Sequence, residues 1–79
     1  MYYTYAIASL KRQYIYIGLS QNIQQRLAYH NLGYNRTTKP YRPFKLIYLK
    51  KFDSRMDARN HEKLLKTTSG RKFLRSLAN

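Results

Sequence analysis

The sequence has no cysteine, no tryptophan and only three acidic residues, and these shortages limit what the protein can be. Without cysteine there are neither disulfide bonds nor thiolate metal sites, which is typical of an intracellular, cytoplasmic protein. No apolar run approaches the roughly 20 residues that a membrane-spanning helix needs. The first residues also lack the basic and apolar regions of a signal peptide. A chain of 79 residues is expected to form one domain, over residues 1–79, with a thin core.

Basic residues dominate the composition instead. The chain has sixteen lysines and arginines but only three acidic residues, which gives a formal net charge of +13. So high a charge on a small surface attracts polyanions, and nucleic acid is the leading class of partner. A ribosomal-type or membrane-surface protein would also explain the charge, but no basic helix with a large apolar face is evident. The nine tyrosines suit stacking on bases, although tyrosine is also simply a good strand residue.

Tyrosine and isoleucine alternate at residues 14–18, which predicts a β-strand that ends at a glycine. The tyrosines and Gly18 share one face of this strand. Because Gly18 has no side chain, another backbone or a ligand can approach it closely. We expect Ser20 to cap the helix that follows. On that helix Arg26 and His30 are four residues apart and share one side.

The remaining elements follow from similar patterns. In chain order, the predicted elements are strands at residues 2–8 and 14–18, a helix at 22–31, a strand at 44–52, a helix from about 54 to 67 and a helix at 71–77. The first two strands form a hairpin that we expect to place Tyr5 and Tyr16 on the same face. Ser54 is expected to cap the second helix, and residues 67–70 to break it. The order ββαβαα predicts an α+β domain with helices packed on a small sheet.

The loop between residues 31 and 43 mixes tyrosines with basic residues. That mixture suits gripping a strand of nucleic acid, and a solvated connector explains it equally well. The candidate nucleic-acid contacts here and on the second helix are Tyr34, Arg36, Lys39, Arg42 and Lys66.

Glu62 is the only glutamate, and it lies in the middle of the second predicted helix beside the apolar stripe. Asp53 and Asp57 are explained by the dipole at the start of that helix. Glu62 has two interpretations. It either pairs with Lys66 or Arg59 on the same helix, or it binds a hard divalent ion together with water and substrate phosphate.

Four other side chains are suited to phosphodiester hydrolysis. Arg26 can neutralise a phosphate through its planar guanidinium, and His30 can accept or relay a proton. Tyr5 and Tyr16 can orient or deprotonate a water molecule. Each also has a structural explanation, as a solvated base, a packed histidine or a strand tyrosine. With a carboxylate for a metal, they supply what metal-assisted hydrolysis needs without a covalent nucleophile.

Several motifs, in order, resemble the GIY-YIG nuclease family. Tyr3-Thr4-Tyr5 stands where the family has its GIY triplet, and Tyr16-Ile17-Gly18 is an intact YIG. Residues 26–30 match the Arg-x-x-x-His helix of the family, and Glu62 follows at a familiar spacing. The chain looks most like short stand-alone bacterial members, which resemble the nuclease domain of the bacterial excision-repair excinuclease.

The resemblance implies a DNA endonuclease, with a role in DNA repair and a three-stranded antiparallel sheet flanked by three helices. It implies one divalent ion, Mg²⁺ or Mn²⁺, held by Glu62. Tyr5 would activate or position the water with Tyr16 as its partner, Arg26 would clamp the phosphate, and His30 would relay a proton or support the phenol. RNA is not distinguished from DNA as the substrate. A non-cleaving nucleic-acid-binding module on the same scaffold is the alternative.

Two departures from the family stand out. Tyr3 replaces the glycine of the GIY triplet. Many larger members have an asparagine downstream of the glutamate, and Asn79, the last residue, is too distant to be its equivalent. Because no second domain is evident, targeting is expected to come from a partner protein or from a preference for DNA structure. A homodimer is a further expectation, since a double-strand break needs two active sites or two successive binding events.

Overall fold

The computed structural model describes residues 1–78 and shows a three-stranded antiparallel sheet with helices on both faces. In chain order, the elements are strands β1 (Tyr2–Ser9) and β2 (Ile15–Ser20), helix α1 (Ile23–Asn31), a 3-10 helix (Lys39–Tyr41), strand β3 (Phe44–Phe52) and helices α2 (Arg55–Leu65) and α3 (Thr68–Ala78). This confirms the predicted α+β class and the order ββαβαα. Asn79 lies outside the described residues. Within them, no helix is long and apolar enough to cross a membrane.

Strand β1 is the central strand, because the order in the sheet is β2-β1-β3. Residues 4–8 of this strand are all buried, as expected where helices cover both faces of a sheet. Ala6 faces α2 and α3, where it packs with Leu65 and Leu74. Its neighbour Tyr5 faces the opposite way, toward α1 and the start of β3. The two outer strands leave two free edges, and the candidate site lies at the edge formed by β2.

The pairing of β1 with β2 brings the tyrosines together. Tyr5 lies opposite Gly18, and Ile7 lies opposite Tyr16, so all four residues share one face. The ring centroids of Tyr5 and Tyr16 are 6.3 Å apart. The predicted shared face of the two tyrosines is therefore confirmed.

The predicted cap of the first helix is wrong. Asn22 caps α1, and its side chain accepts a hydrogen bond from the backbone N–H of Gln25 at 3.1 Å. The hydroxyl of Ser20 instead accepts from the backbone N–H of Asn22 and donates to the Asn22 carbonyl. Pairing with β1 extends β2 as far as Ser20, so the turn and the cap must follow it. At α2 the prediction is confirmed, because Ser54 is the cap.

The predicted break between the last two helices is present, but it lies at Lys66 and Thr67, because α3 begins at Thr68. The hydroxyl of Thr67 accepts from the backbone N–H of Gly70 and donates to the carbonyl of Leu64. A β-carbon on Gly70 would lie 2.5 Å from the backbone oxygens of Leu64 and Leu65. Gly70 therefore lets the first turn of α3 pack directly on the end of α2.

Candidate active site

The candidate site begins at Gly18, where the phenol of Tyr5 crosses the edge strand. A β-carbon on Gly18 would lie 2.8 Å from the Tyr5 hydroxyl oxygen and 3.0 Å from the Tyr16 ring. The space left by the glycine is thus filled by a side chain, not by the backbone or ligand that the sequence suggested. Any other residue at this position would displace the Tyr5 phenol.

The Tyr5 hydroxyl forms the first link of a buried hydrogen-bond chain. It lies 3.0 Å from Nε2 of His30, in the last turn of α1. The other ring nitrogen, Nδ1, lies 2.9 Å from the hydroxyl of Thr38. Tyr5 is 1% exposed, and His30 and Thr38 are 0% exposed, so water does not interrupt the chain. We call Tyr5, His30 and Thr38 the relay.

Thr38 is the member of the relay that sequence reasoning missed. It belongs to the loop between α1 and β3, where the Asn35 side chain accepts from the backbone N–H groups of Thr37 and Thr38. Asparagine commonly organises turns in this way, two residues before the group that it binds. Asn35 was therefore the available signal that this loop is ordered.

Burial sets the protonation states in the relay. Burial raises the pKa of Tyr5 to about 12, and the Arg26 guanidinium opposes that rise. Burial, reinforced by the charge of Arg26, lowers the pKa of His30 to about 4. At neutral pH, Tyr5 is thus a protonated phenol and His30 a neutral imidazole. A neutral imidazole donates through one nitrogen and accepts through the other, so a proton donated from Nδ1 to Thr38 leaves Nε2 to accept from Tyr5.

Arg26 brings an unsatisfied donor to the same place. Its guanidinium stacks over the ring of Tyr29, 4.5 Å from the ring centroid. Its Nε is buried and has no hydrogen-bond partner within the described chain. A buried unpaired donor costs about 1–3 kcal/mol. Both residues line an open polar cleft at the β2–α1 turn, so a ligand with acceptor oxygens can reach this side chain.

Glu62 lies on α2, which packs on the opposite face of the sheet from α1. Its negative charge adds to the rise in the pKa of Tyr5. Lys66 donates to its Oε2 at 3.0 Å, so the helical ion pair considered from the sequence is present. The Glu62 side chain is 15% exposed and that of Lys66 is 46% exposed. The pair engages one carboxylate oxygen, which leaves the other for a further ligand.

The donor set around Glu62 fits a divalent ion only if the substrate contributes ligands. Among residues 1–78, no three His, Cys, Asp or Glu side chains come together as ligands. Mg²⁺ is commonly bound by one or two carboxylates, with waters and substrate phosphates completing its shell. Glu62 supplies the one carboxylate that such a site needs.

Tyr16 and the loop residues surround this group. The Tyr16 ring lies 4.7 Å from the His30 ring, centroid to centroid, and packs against the relay. Arg42, a candidate nucleic-acid contact, donates to the carbonyl of Leu32 at 3.1 Å and so also holds the loop. It packs on Gly33, whose φ of +82° favours glycine. The candidate contacts exposed on the loop are Tyr34, Arg36 and Lys39.

Comparison with known proteins identifies the family of the chain. The family model for the GIY-YIG catalytic domain matches residues 1–75, and the chain therefore belongs to the GIY-YIG nuclease family. A UPF0213 protein of Staphylococcus haemolyticus is 34% identical over 77 residues, which cover 96% of this chain and 93% of the relative. A UPF0213 protein of Pediococcus acidilactici is 37% identical over 71 residues, covering 85% and 71%. One of Staphylococcus saprophyticus is 33% identical over 73 residues, covering 91% and 89%. No solved structure matches.

Proposed function

We propose that the protein is a metal-dependent endonuclease that hydrolyses phosphodiester bonds of DNA. The observation that carries the proposal is the buried, unpaired Nε of Arg26 beside the hydroxyl of Tyr5. A phosphate oxygen would satisfy that donor and remove its cost, since arginine binds phosphate with charge-assisted hydrogen bonds. The unpaired donor therefore supports a phosphate as the ligand of this site.

Each residue takes a separate part in the reaction. Arg26 donates to an oxygen of the scissile phosphate and neutralises the charge that grows during attack. Glu62 would hold the Mg²⁺ or Mn²⁺ ion, which would supply polarisation of the phosphate and favour ionisation of water. Tyr16 packs against His30 and keeps the ring in place.

The magnitudes favour a positioning role for Tyr5. The pKa values of Tyr5 and His30, about 12 and about 4, differ by about 8. Both shifts therefore oppose transfer of the phenol proton onto the imidazole at neutral pH. We therefore assign Tyr5 to orienting the attacking water by a hydrogen bond. His30 holds the phenol in position and remains neutral.

A nicking assay tests the proposal. Supercoiled plasmid and branched DNA are incubated with wild-type protein and with Glu62→Ala, in Mg²⁺, in Mn²⁺ and with a chelator. Asp57→Asn is the matched control, because it removes a carboxylate from the first turn of the same helix. We expect metal-dependent cleavage by the wild type and the control, and none by Glu62→Ala. Cleavage by Glu62→Ala at the wild-type rate would remove Glu62 from the site.

One observation favours the non-cleaving alternative. The ammonium of Lys66 already lies 3.0 Å from Glu62, where a metal would bind. A binding module would show steeply salt-dependent affinity for many sequences and no metal-dependent product. In that case, losing basic residues of the loop would weaken binding more than losing Glu62.

The proposal extends to location and partners. We place the activity in the cytoplasm and infer that targeting to particular DNA requires a partner protein. Each chain carries only one glutamate, Glu62, and therefore one proposed site. A double-strand break then requires a homodimer or two successive encounters with the DNA. Sedimentation of the protein with and without DNA separates these two cases.

A further inference from the structure

A second cleft lies at the other end of β2, between the β1–β2 turn and α3. Its volume is about 420 Å³, within the roughly 300–1,000 Å³ of small-ligand sites. The polar side chains that line it are Ser9, Arg12, Gln13, Tyr14, Arg71 and Arg75. We call it the arginine cleft.

Among residues 1–78, no acidic side chain compensates the positive charge of this cleft. None of the residues that line it is acidic, and all three acids of the chain lie at the start of α2 or on it. Arg71 and Arg75 are four residues apart and therefore share one side of α3. Arg71 is also held in place, because its Nε donates to the carbonyl of Lys66 at 3.2 Å. A concave surface with arginines on both walls is suited to phosphate groups.

A row of tyrosines joins the arginine cleft to the candidate active site. Tyr14 precedes Tyr16 and Gly18 on the same face of the chain, and its ring stacks on Tyr41 with centroids 3.9 Å apart. Burial raises the pKa of Tyr14, Tyr16 adds to the rise, and the charge of Arg71 opposes it. The Tyr14 phenol therefore lies within electrostatic reach of both Tyr16 in the active site and Arg71 in the cleft.

We propose that the arginine cleft binds the phosphate backbone of the substrate strand a few nucleotides away from the bond that is cut. Gly18 and Tyr14 are four residues apart, or about 13 Å along an extended strand. Along the axis of duplex DNA, where each strand rises by roughly 3.4 Å per nucleotide, that distance corresponds to about four nucleotides. This inference rests on the proposed function, because it places the scissile phosphate at Arg26.

Binding without cleavage tests the cleft separately from the nuclease activity. Affinity for a labelled DNA strand of about 16 nucleotides is measured in chelator, at several salt concentrations, for wild type and Arg71→Gln/Arg75→Gln. The control, Lys63→Gln/Lys72→Gln, removes the same charge from exposed positions of α2 and α3 outside the cleft. We expect the cleft variant to bind about tenfold more weakly at low salt, with a salt slope smaller by about one to two. The control should change affinity by no more than about twofold to threefold. Equal losses in the two variants would overturn the proposal.

A second variant guards against a folding defect, since Arg71 also bonds to the backbone of α2. Arg12→Gln/Arg75→Gln removes one arginine from each wall and leaves that bond intact. Its thermal unfolding is expected to match that of the wild type, while its affinity falls like that of the first variant. Unchanged affinity in this folded variant would refute the role of the cleft.

Strand length separates a continuous substrate from a small ligand. For the wild type, affinity should rise sharply as DNA is lengthened from about 4 to about 12 nucleotides, whereas Arg12→Gln/Arg75→Gln should lose most of that rise. Strong competition by inorganic phosphate or a mononucleotide would instead identify a small-anion site and contradict the proposal. If the length effect holds but no substrate is ever cut, the nuclease proposal fails and the backbone-binding cleft remains.

Discussion

The folded protein should lose about 3 kcal/mol of stability between pH 7 and pH 4, because His30 is kept neutral in the core. The pKa of this imidazole is 6.5 when unfolded and about 4 when folded. Between these values the unfolded state binds a proton that the folded state does not, so stability falls as the pH falls. The contribution of His30 to the free energy of unfolding is complete above pH 6.5 and is lost by about pH 4. A difference of about 2.5 in pKa corresponds to about 3 kcal/mol.

Other groups should contribute little in this range, since the chain has only three acids. The pKa of His61 is also lowered, by burial and then by the charge of Lys50, so its effect has the same sign. The variant His61→Gln therefore isolates His30. Urea denaturation of this variant at pH 7 and at pH 4 measures the loss directly. In a domain of this size, a loss of about 3 kcal/mol should also lower the melting temperature by roughly 12–24 °C.

Two results would refute this reasoning. His61→Gln could prove equally stable at the two pH values, which would mean that His30 is hydrated or already free to titrate. Alternatively, an imidazole titration followed by NMR in His61→Gln could place the pKa of His30 near 6.5. Either result would also remove the basis for a neutral His30 in the relay.

Three further substitutions separate folding from catalysis. Gly18→Ala should lower the free energy of unfolding in urea by about 1–3 kcal/mol and abolish cleavage, because the added β-carbon displaces the Tyr5 phenol. Gly70→Ala introduces a comparable clash away from the site, so this variant should be less stable but should still cleave DNA while it is folded. Thr38→Val should cost about 1–3 kcal/mol by leaving a buried imidazole nitrogen unpaired, and Thr38→Ser should restore most of it. Arg26→Lys should unfold at no lower urea concentration than wild type, since it removes an unpaired buried donor, yet cut at least about tenfold more slowly. Loss of stability with full activity in Arg26→Lys would mean that its guanidinium serves the fold.

The sheet was predictable because its signals are local. Alternation of tyrosine with isoleucine identified β2, and β3 begins and ends where the sequence predicted. The helix ends were not predictable in the same way. Ser20 and Asn22 are both good caps, and pairing of Ser20 with Tyr3 in β1 decides between them. Gly70 has the local properties of a helix end, and only the packing of α3 on α2 shows why a glycine is needed there.

The loop between α1 and β3 shows why part of the site could not be read from composition. Its tyrosines and basic residues suit a nucleic-acid grip, and several of these side chains do point into solvent. Its asparagines instead bind backbone groups. Asn31 bonds to both the N–H and the carbonyl of Phe44, as a neighbouring strand would, and Asn35 binds the backbone at Thr38. These contacts hold the Thr38 hydroxyl against His30 at a separation of eight residues. Because the exposed side chains and the asparagine–backbone contacts occupy different positions, the proposed substrate contacts and the orientation of the relay do not compete within this loop.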